Sequence, residues 1–133
     1  MILVDSSVLI DLLEKTPKWF AWSAEQLFAA SERDQIGINA IVYAEISRSF
    51  ASHAAQQDFI RQTGLVYLNV PAAAAYSASA AHAVYRANGG TRAATLPDFF
   101  IGAHASVEGY TLMTRDATRI HTYFPNVPHI SPQ

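Results

Sequence analysis

Apolar residues gather along this chain in five short runs, at positions 2–5, 35–39, 65–70, 111–114 and 129–130. Between them the spacing lengthens to the three-to-four-residue period of amphipathic helices. Short β-rich runs alternating with helical stretches predict an α/β fold with a parallel sheet of about five strands. The punctuation agrees. Ser6 or Ser7 is placed to cap the first helix, Thr16-Pro17 to open the second, and Pro71 to precede an alanine-rich helix over 72–87 that Asn88-Gly89-Gly90 ends. Loops are short, and neither an internal repeat nor a composition shift divides the chain, so one domain over 1–133 is expected.

Composition narrows the setting. Half of the 133 residues are hydrophobic, only 15 % are charged, and there is no cysteine, which excludes a disulfide framework and a thiolate metal site. The start has no basic segment and meets Asp5 early, and no apolar stretch nears the roughly 18 residues of a membrane span. A cytoplasmic protein without membrane attachment is the expectation. The net charge of −2 lacks the basic footprint of a passive nucleic-acid binder. It does not exclude a nuclease, because carboxylates must be counted together with the cations they hold.

Four acids stand out against this pattern: Asp5, Glu45, Asp98 and Asp116. Asp5 closes the first apolar run, Asp98 follows Leu96-Pro97, and Asp116 follows the fourth run, which predicts three acids at strand-to-helix corners. In open parallel sheets ligands sit at such corners. Helix capping accounts for each aspartate equally well, since a helix N-terminus favours an anion. Glu45 is different. It lies four residues after Ile41 and three after Val42, on a side of the helix that ought to face inward, where a carboxylate needs a partner. The alternative is an i,i+3 pair with Arg48. Asp98 shares a helix face with Ile101, Gly102 and Ala105, which suggests one pocket for both acids.

If these carboxylates converge within about 4 to 6 Å, each like-charge pair costs up to roughly 4 kcal/mol at an effective dielectric near 20. Raised carboxyl pKa values or a divalent cation would relieve that. Without cysteine or a His-x-x-x-His spacing the donors are hard oxygens, which suit Mg²⁺ or Mn²⁺ rather than zinc. Three or four carboxylates around one or two such ions can activate water against a phosphodiester with no protein nucleophile.

The wording around the acids resembles PIN-domain ribonucleases, in particular the VapC toxins of bacterial toxin-antitoxin pairs. Val4-Asp5-Ser6-Ser7-Val8-Leu9-Ile10-Asp11 is similar to the family's opening, and residues 38–45, ending in Glu45, to its second motif. Residues 96–105, carrying Asp98, resemble the third, and Leu112-Met113-Thr114-Arg115-Asp116 the fourth. The resemblance implies a PIN-like three-layer sandwich with helices on both sheet faces and Mg²⁺- or Mn²⁺-dependent endonucleolytic RNA cleavage leaving a 5′-phosphate. It also implies a small antitoxin partner with a disordered tail, and a homodimer or a larger toxin-antitoxin assembly. Carried over by position, Asp5, Glu45, Asp98 and Asp116 would be the catalytic, metal-holding quartet, with Asp5 and Asp98 the principal ligands. Ser6 and Thr114 would support them. Relatives often carry Thr at Val42 and Asn or Thr at Ser7 and Ser6, departures that leave the acids untouched.

Arg86, Arg92, Arg115, Arg119, Lys15 and Lys18 could meet RNA phosphate, and Arg115, adjoining Asp116, is the best placed; a solvated face is the alternative for each. His104, six residues after Asp98, is expected on the surface or in packing rather than as a base. Of Trp19, Phe20 and Trp22, at least two should pack in the core, and an exposed one could anchor a partner. Two further readings stay open: a non-catalytic PIN-like module that binds protein or RNA, and a receiver-type phosphotransfer domain. The latter wants a lysine near the C-terminal strands, whereas both lysines here precede residue 20.

Overall fold

A computed structural model describes residues 1–90 and 94–132. The five apolar runs become five strands: β1 (Ile2–Val4), β2 (Ile36–Asn39), β3 (Val66–Leu68), β4 (Thr111–Met113) and β5 (His129–Ile130). All pair in parallel, in the order β3-β2-β1-β4-β5. Strands β1 and β2 are buried along their whole length, as central strands covered on both faces must be. The edge strand β3 leaves Val66 and Tyr67 exposed and is shorter than its run.

Among the described residues seven α-helices connect them: α1 (Ser6–Glu14), α2 (Phe20–Arg33), α3 (Ala40–Ile46), α4 (His53–Thr63), α5 (Ala72–Ala87), α6 (Leu96–Glu108) and α7 (Thr118–Tyr123). The chain first steps outward from β1 to β2 to β3, then returns past β1 to β4 and β5. With right-handed crossovers, that reversal puts α1 to α4 on one face and α5 to α7 on the other. It also opens a crevice between β1 and β4 at their carboxyl ends, the switch point where α/β sheets bind ligands. No described helix is long and apolar enough to cross a membrane.

Leu3, Val4, Leu9, Ile38, Ile46, Phe99, Leu112 and Met113 are the large fully buried core. Helix α6 is buried from Ile101 to Ala105, and Gly102 lets it approach α7: a Cβ there would lie 2.5 Å from Phe124 Cδ2 and 2.8 Å from Ile120 Cδ1. His104 is a packing residue. Its Nδ1 lies 3.2 Å from Asn39 Nδ2, so the ring accepts from the amide, while Asn39 Oδ1 caps α3 by accepting from Val42 N. The alanine-rich helix runs 72–87 as its sequence predicts.

Three expectations need correction. Neither Ser6 nor Ser7 caps α1; Asp5 holds that position with extended backbone and makes no side-chain cap bond. Helix α2 starts at Phe20 rather than at Thr16-Pro17, because Thr16 O first accepts from the amides of Trp19 and Phe20 in a turn. Among the described residues no strand precedes Asp98, which stands in the first turn of α6, the helix that comes next after α5. Arg92 lies outside the described residues.

Candidate active site

Each acid reaches the crevice from a different element. Asp5 ends β1, Glu45 sits late in α3, Asp98 opens α6 and Asp116 lies between β4 and α7. All four line one cavity of about 150 Å³, with Ser6, Thr114 and Arg119 on its walls and Ile101, Leu112 and Ile120 as its apolar lining.

Hydroxyls orient the carboxylates. Asp5 Oδ2 accepts from Thr114 Oγ1 at 2.8 Å and from Ser7 Oγ at 3.0 Å, while Ser6 Oγ donates to Glu45 Oε1 at 2.9 Å and lies 3.5 Å from Asp5 Oδ1. One hydroxyl carries one proton, so the shorter contact places Ser6 with Glu45. Thr114 Oγ1 in turn accepts from Asp116 N at 3.2 Å, and Ser7 Oγ accepts from Arg115 N at 3.2 Å. The segment after β4 is thereby tied to the first turn of α1 through Asp5.

Asp98 and Asp116 spend oxygens on helix starts, so for them capping and pocket-lining coexist. Asp98 Oδ2 accepts from Thr95 N at 2.6 Å in a capping box, and Asp116 Oδ1 accepts from Thr118 N at 3.0 Å. Asp5 caps nothing. Among the described residues its carboxylate is held by side-chain hydroxyls.

The electrostatics separate two of the acids. Burial raises the Glu45 carboxyl above its usual range, the charges of Asp5 and Asp98 add to that, and the Ser6 hydroxyl opposes it. The Thr118 amide and hydroxyl hold Asp116 below its usual range, with Arg119 contributing and slight burial opposing. Glu45 is nonetheless open to solvent and not buried beneath Ile41 and Val42 as its spacing suggests; its carboxyl leans on the crowded rim of the cavity. It takes the Ser6 hydroxyl rather than a pair with Arg48.

The donors are hard oxygens, and the charges of Asp5 and Asp98, which add to the effect of burial on Glu45, are ones a cation would offset. In kind and in charge the set fits a divalent ion. It is not a finished cage: among the described residues no three His, Asp or Glu side chains are arranged to hold an ion as they stand. Binding would require the carboxylates to close in.

Arg115 has a partner its sequence position did not suggest. Its Nε lies 3.1 Å from Asp11 Oδ2, an ion pair without in-line hydrogen-bond geometry, and the guanidinium covers the Trp19 ring at 5.6 Å. Asp11 is fully buried and also accepts from Ser23 Oγ at 2.8 Å. Arg115 borders a neighbouring cavity beyond Asp116, whereas Arg119 lines the acid cavity itself. Trp22 packs against the core edge-to-face with the half-buried Trp19 at 6.4 Å, and Phe20 is the exposed member of the trio at 38 %. Sequence reasoning passed over Asp11, although an acid inside Val8-Leu9-Ile10-Asp11-Leu12-Leu13 calls for a partner as strongly as Glu45 does.

No curated protein shows a significant sequence match to this chain. Its fold is similar to VapBC2 from Rickettsia felis bound to a DNA fragment from their promoter, with TM-score 0.72, 19 % identity and full coverage of both chains. A toxin-antitoxin complex from Klebsiella pneumoniae gives TM-score 0.71 and 22 % identity over 96 % of this chain and 95 % of that one. FitAcB from Neisseria gonorrhoeae gives 0.68 and 18 % over 98 % and 96 %. At these identities the likeness speaks for the fold. The sequence pattern of the PIN domain matches residues 2–124, nearly the whole length, and the chain belongs to the PIN domain family.

Proposed function

We propose that this protein is a divalent-metal-dependent endoribonuclease and the toxin of a toxin-antitoxin pair, acting in the cytoplasm as one domain over 1–133. The observation that carries the catalytic reading is the convergence of Asp5, Glu45, Asp98 and Asp116 on one cavity at the carboxyl end of a parallel sheet. The partner reading draws on the solved structures of similar fold, one of which is described as a toxin-antitoxin complex. A small antitoxin protein and a second copy of the chain are the expected partners, and the neighbouring cavity's exposed His121 and His129 leave room for an RNA strand to run past Asp116.

Asp5 and Asp98 would be the principal ligands of Mg²⁺ or Mn²⁺, one ion or two, with Glu45 and Asp116 holding a further ion or ordered waters. When bound, such an ion supplies a water of lowered pKa and positive charge opposite the phosphate oxygens. The chain's own groups do the rest. Thr114, Ser6 and Ser7 fix the carboxylates in orientation, and Arg119 stands where it can contact a phosphate. Of Glu45 and Asp116, Glu45 with its raised carboxyl is the readier to take a proton from an attacking water. Attack at phosphorus breaks the P–O3′ bond and leaves a 5′-phosphate and a 3′-hydroxyl.

The test is cleavage of single-stranded RNA by purified protein in Mg²⁺ or Mn²⁺, with EDTA as control and end-mapping of products. Asp5→Asn and Asp98→Asn should each abolish cleavage while melting no lower than wild type, because one repelling charge is gone. Metal-dependent cleavage at wild-type rate by either variant would sink the catalytic assignment. The second reading, a non-catalytic binding module, draws on the open spacing of the acids. A chain that binds RNA but takes up no Mn²⁺ in calorimetry would favour it.

A further inference from the structure

An ion pair between a buried carboxylate and a half-buried guanidinium is weak evidence for stability, since the cost of taking the carboxylate out of water offsets much of what the attraction returns. Asp11 and Arg115 therefore need another account. Asp11 is fully buried at the back of α1, its Oδ2 shared between Ser23 of α2 and Arg115 of the segment after β4, while its Oδ1 has no hydrogen-bond partner among the described residues. Trp19, in the α1–α2 connection, closes over the guanidinium.

What the pair holds is specific. Arg115 lies between Thr114 and Asp116, and its own amide donates to Ser7 Oγ, whose hydroxyl donates to Asp5 Oδ2. Thr114 reaches the same Asp5 oxygen and receives the Asp116 amide. Fixing the Arg115 side chain thus fixes the backbone that sets the place of Asp5 and Asp116 together. We propose that the Asp11–Arg115 ion pair is a positioning device for the acid cavity: outside the cavity, it clamps segment 114–116 to α1 and α2 and so determines how two of the four carboxylates are presented. The assignment rests on the nuclease reading for its consequence and on the geometry alone for the clamp.

The test separates position from stability. Asp11→Leu/Arg115→Met replaces the pair with apolar residues of similar bulk and should keep the thermal midpoint near wild type. Amide exchange at Arg115 should rise at least about 10-fold, because the donor to Ser7 loses its restraint. Mn²⁺ affinity by calorimetry, which does not depend on any contact of Arg115 with RNA, and kcat on RNA should each fall about 10- to 100-fold, as when groups that orient metal ligands are removed. Wild-type exchange, Mn²⁺ affinity and kcat in a variant of wild-type midpoint would overturn the proposal. If the double variant does not fold, Asp11→Asn, which keeps the shape, decides by the same readouts. A wild-type protein that neither binds Mn²⁺ nor cuts RNA would refute the nuclease reading, and exchange at Arg115 would then judge the clamp.

Discussion

Thr114→Val tests whether the acids are held by hydroxyls. Thr114 is buried, 2 % exposed, so the swap changes little in shape and removes one O–H. Two bonds go with it, the donation to Asp5 Oδ2 at 2.8 Å and the acceptance from Asp116 N at 3.2 Å. A hydrogen bond to a charged group is worth about 1.5 to 3 kcal/mol, and Asp5 keeps the Ser7 hydroxyl, so its oxygen is weakened rather than orphaned. Asp116 is exposed, and water can replace the acceptor its amide loses at a cost below about 1 kcal/mol. The sum is about 1.5 to 4 kcal/mol. At about 3 to 5 °C per kcal/mol for a chain of this size, the thermal midpoint should fall by about 5 to 20 °C. Metal-dependent cleavage at a temperature well below that midpoint should fall about 10- to 100-fold. Thr114→Ser, which keeps the hydroxyl and loses one methyl, should cost only about 1 kcal/mol and retain most activity. Differential scanning calorimetry and initial rates on one RNA read both effects. Equal behaviour of the valine and serine variants would show that the methyl matters and the hydroxyl does not.

Two other outcomes follow from the packing around the site. Gly102→Ala should destabilise by about 1 to 2 kcal/mol net: overpacking against the buried Phe124 ring and Ile120 costs about 1 to 3, and the better helix propensity of alanine returns up to about 1. Because Ile120 and its neighbour Arg119 line the cavity, cleavage should fall as well, and a raised thermal midpoint would refute the close-approach argument. His104 is held below its ordinary value by burial, with Glu108 opposing. The unfolded chain then binds a proton more readily near pH 6.5, so the neutral ring's contribution to stability is present above that pH and lost as pH falls. Between pH 7 and 5 wild type should lose more thermal stability than His104→Gln; identical slopes would place the pH dependence elsewhere.

The sheet was legible because its strands are short apolar runs between helical patterns, and the run at 65–70 overreached only because β3 is an exposed edge of three residues. Punctuation misled where a turn and a helix start use the same residues. Thr16-Pro17 reads as a helix N-terminus, yet Thr16 O closes a turn before α2 begins. For the site, order and flanking residues point to the four acids, but the inward helix face that spacing assigns to Glu45 is realised at Asp11 instead. Glu45 ends at an open rim, whereas Asp11, one turn beyond the β1–α1 corner, is the acid that is fully buried. Helical spacing alone cannot separate these cases, since it reports a face and not what covers it. Asp11 is partnered by Ser23 and by Arg115, whose guanidinium in turn lies over Trp19, and Arg115 is 104 positions away in sequence (115 − 11).

The choice of donors around the acids separates a site from a stabilising network. A lysine or arginine against Asp5 or Glu45 would have orientated either carboxylate more strongly and cancelled its charge. Their hydrogen-bond donors are instead Ser6, Ser7 and Thr114, neutral groups that fix direction and leave the negative charge in place. The ion pair between Asp11 and Arg115 binds the segment from behind and contributes no lining to the acid cavity. Among the described lining residues four carboxylates face a single guanidinium, Arg119, and the charges of Asp5 and Asp98 add to the rise that burial imposes on the Glu45 carboxyl. A fold selected for stability alone gains nothing from that imbalance, and natural chains tolerate such conflicts mainly where function demands them. Neutral donors within and a charged clamp outside are what a cavity requires if its charge is to be met by a cation from solution.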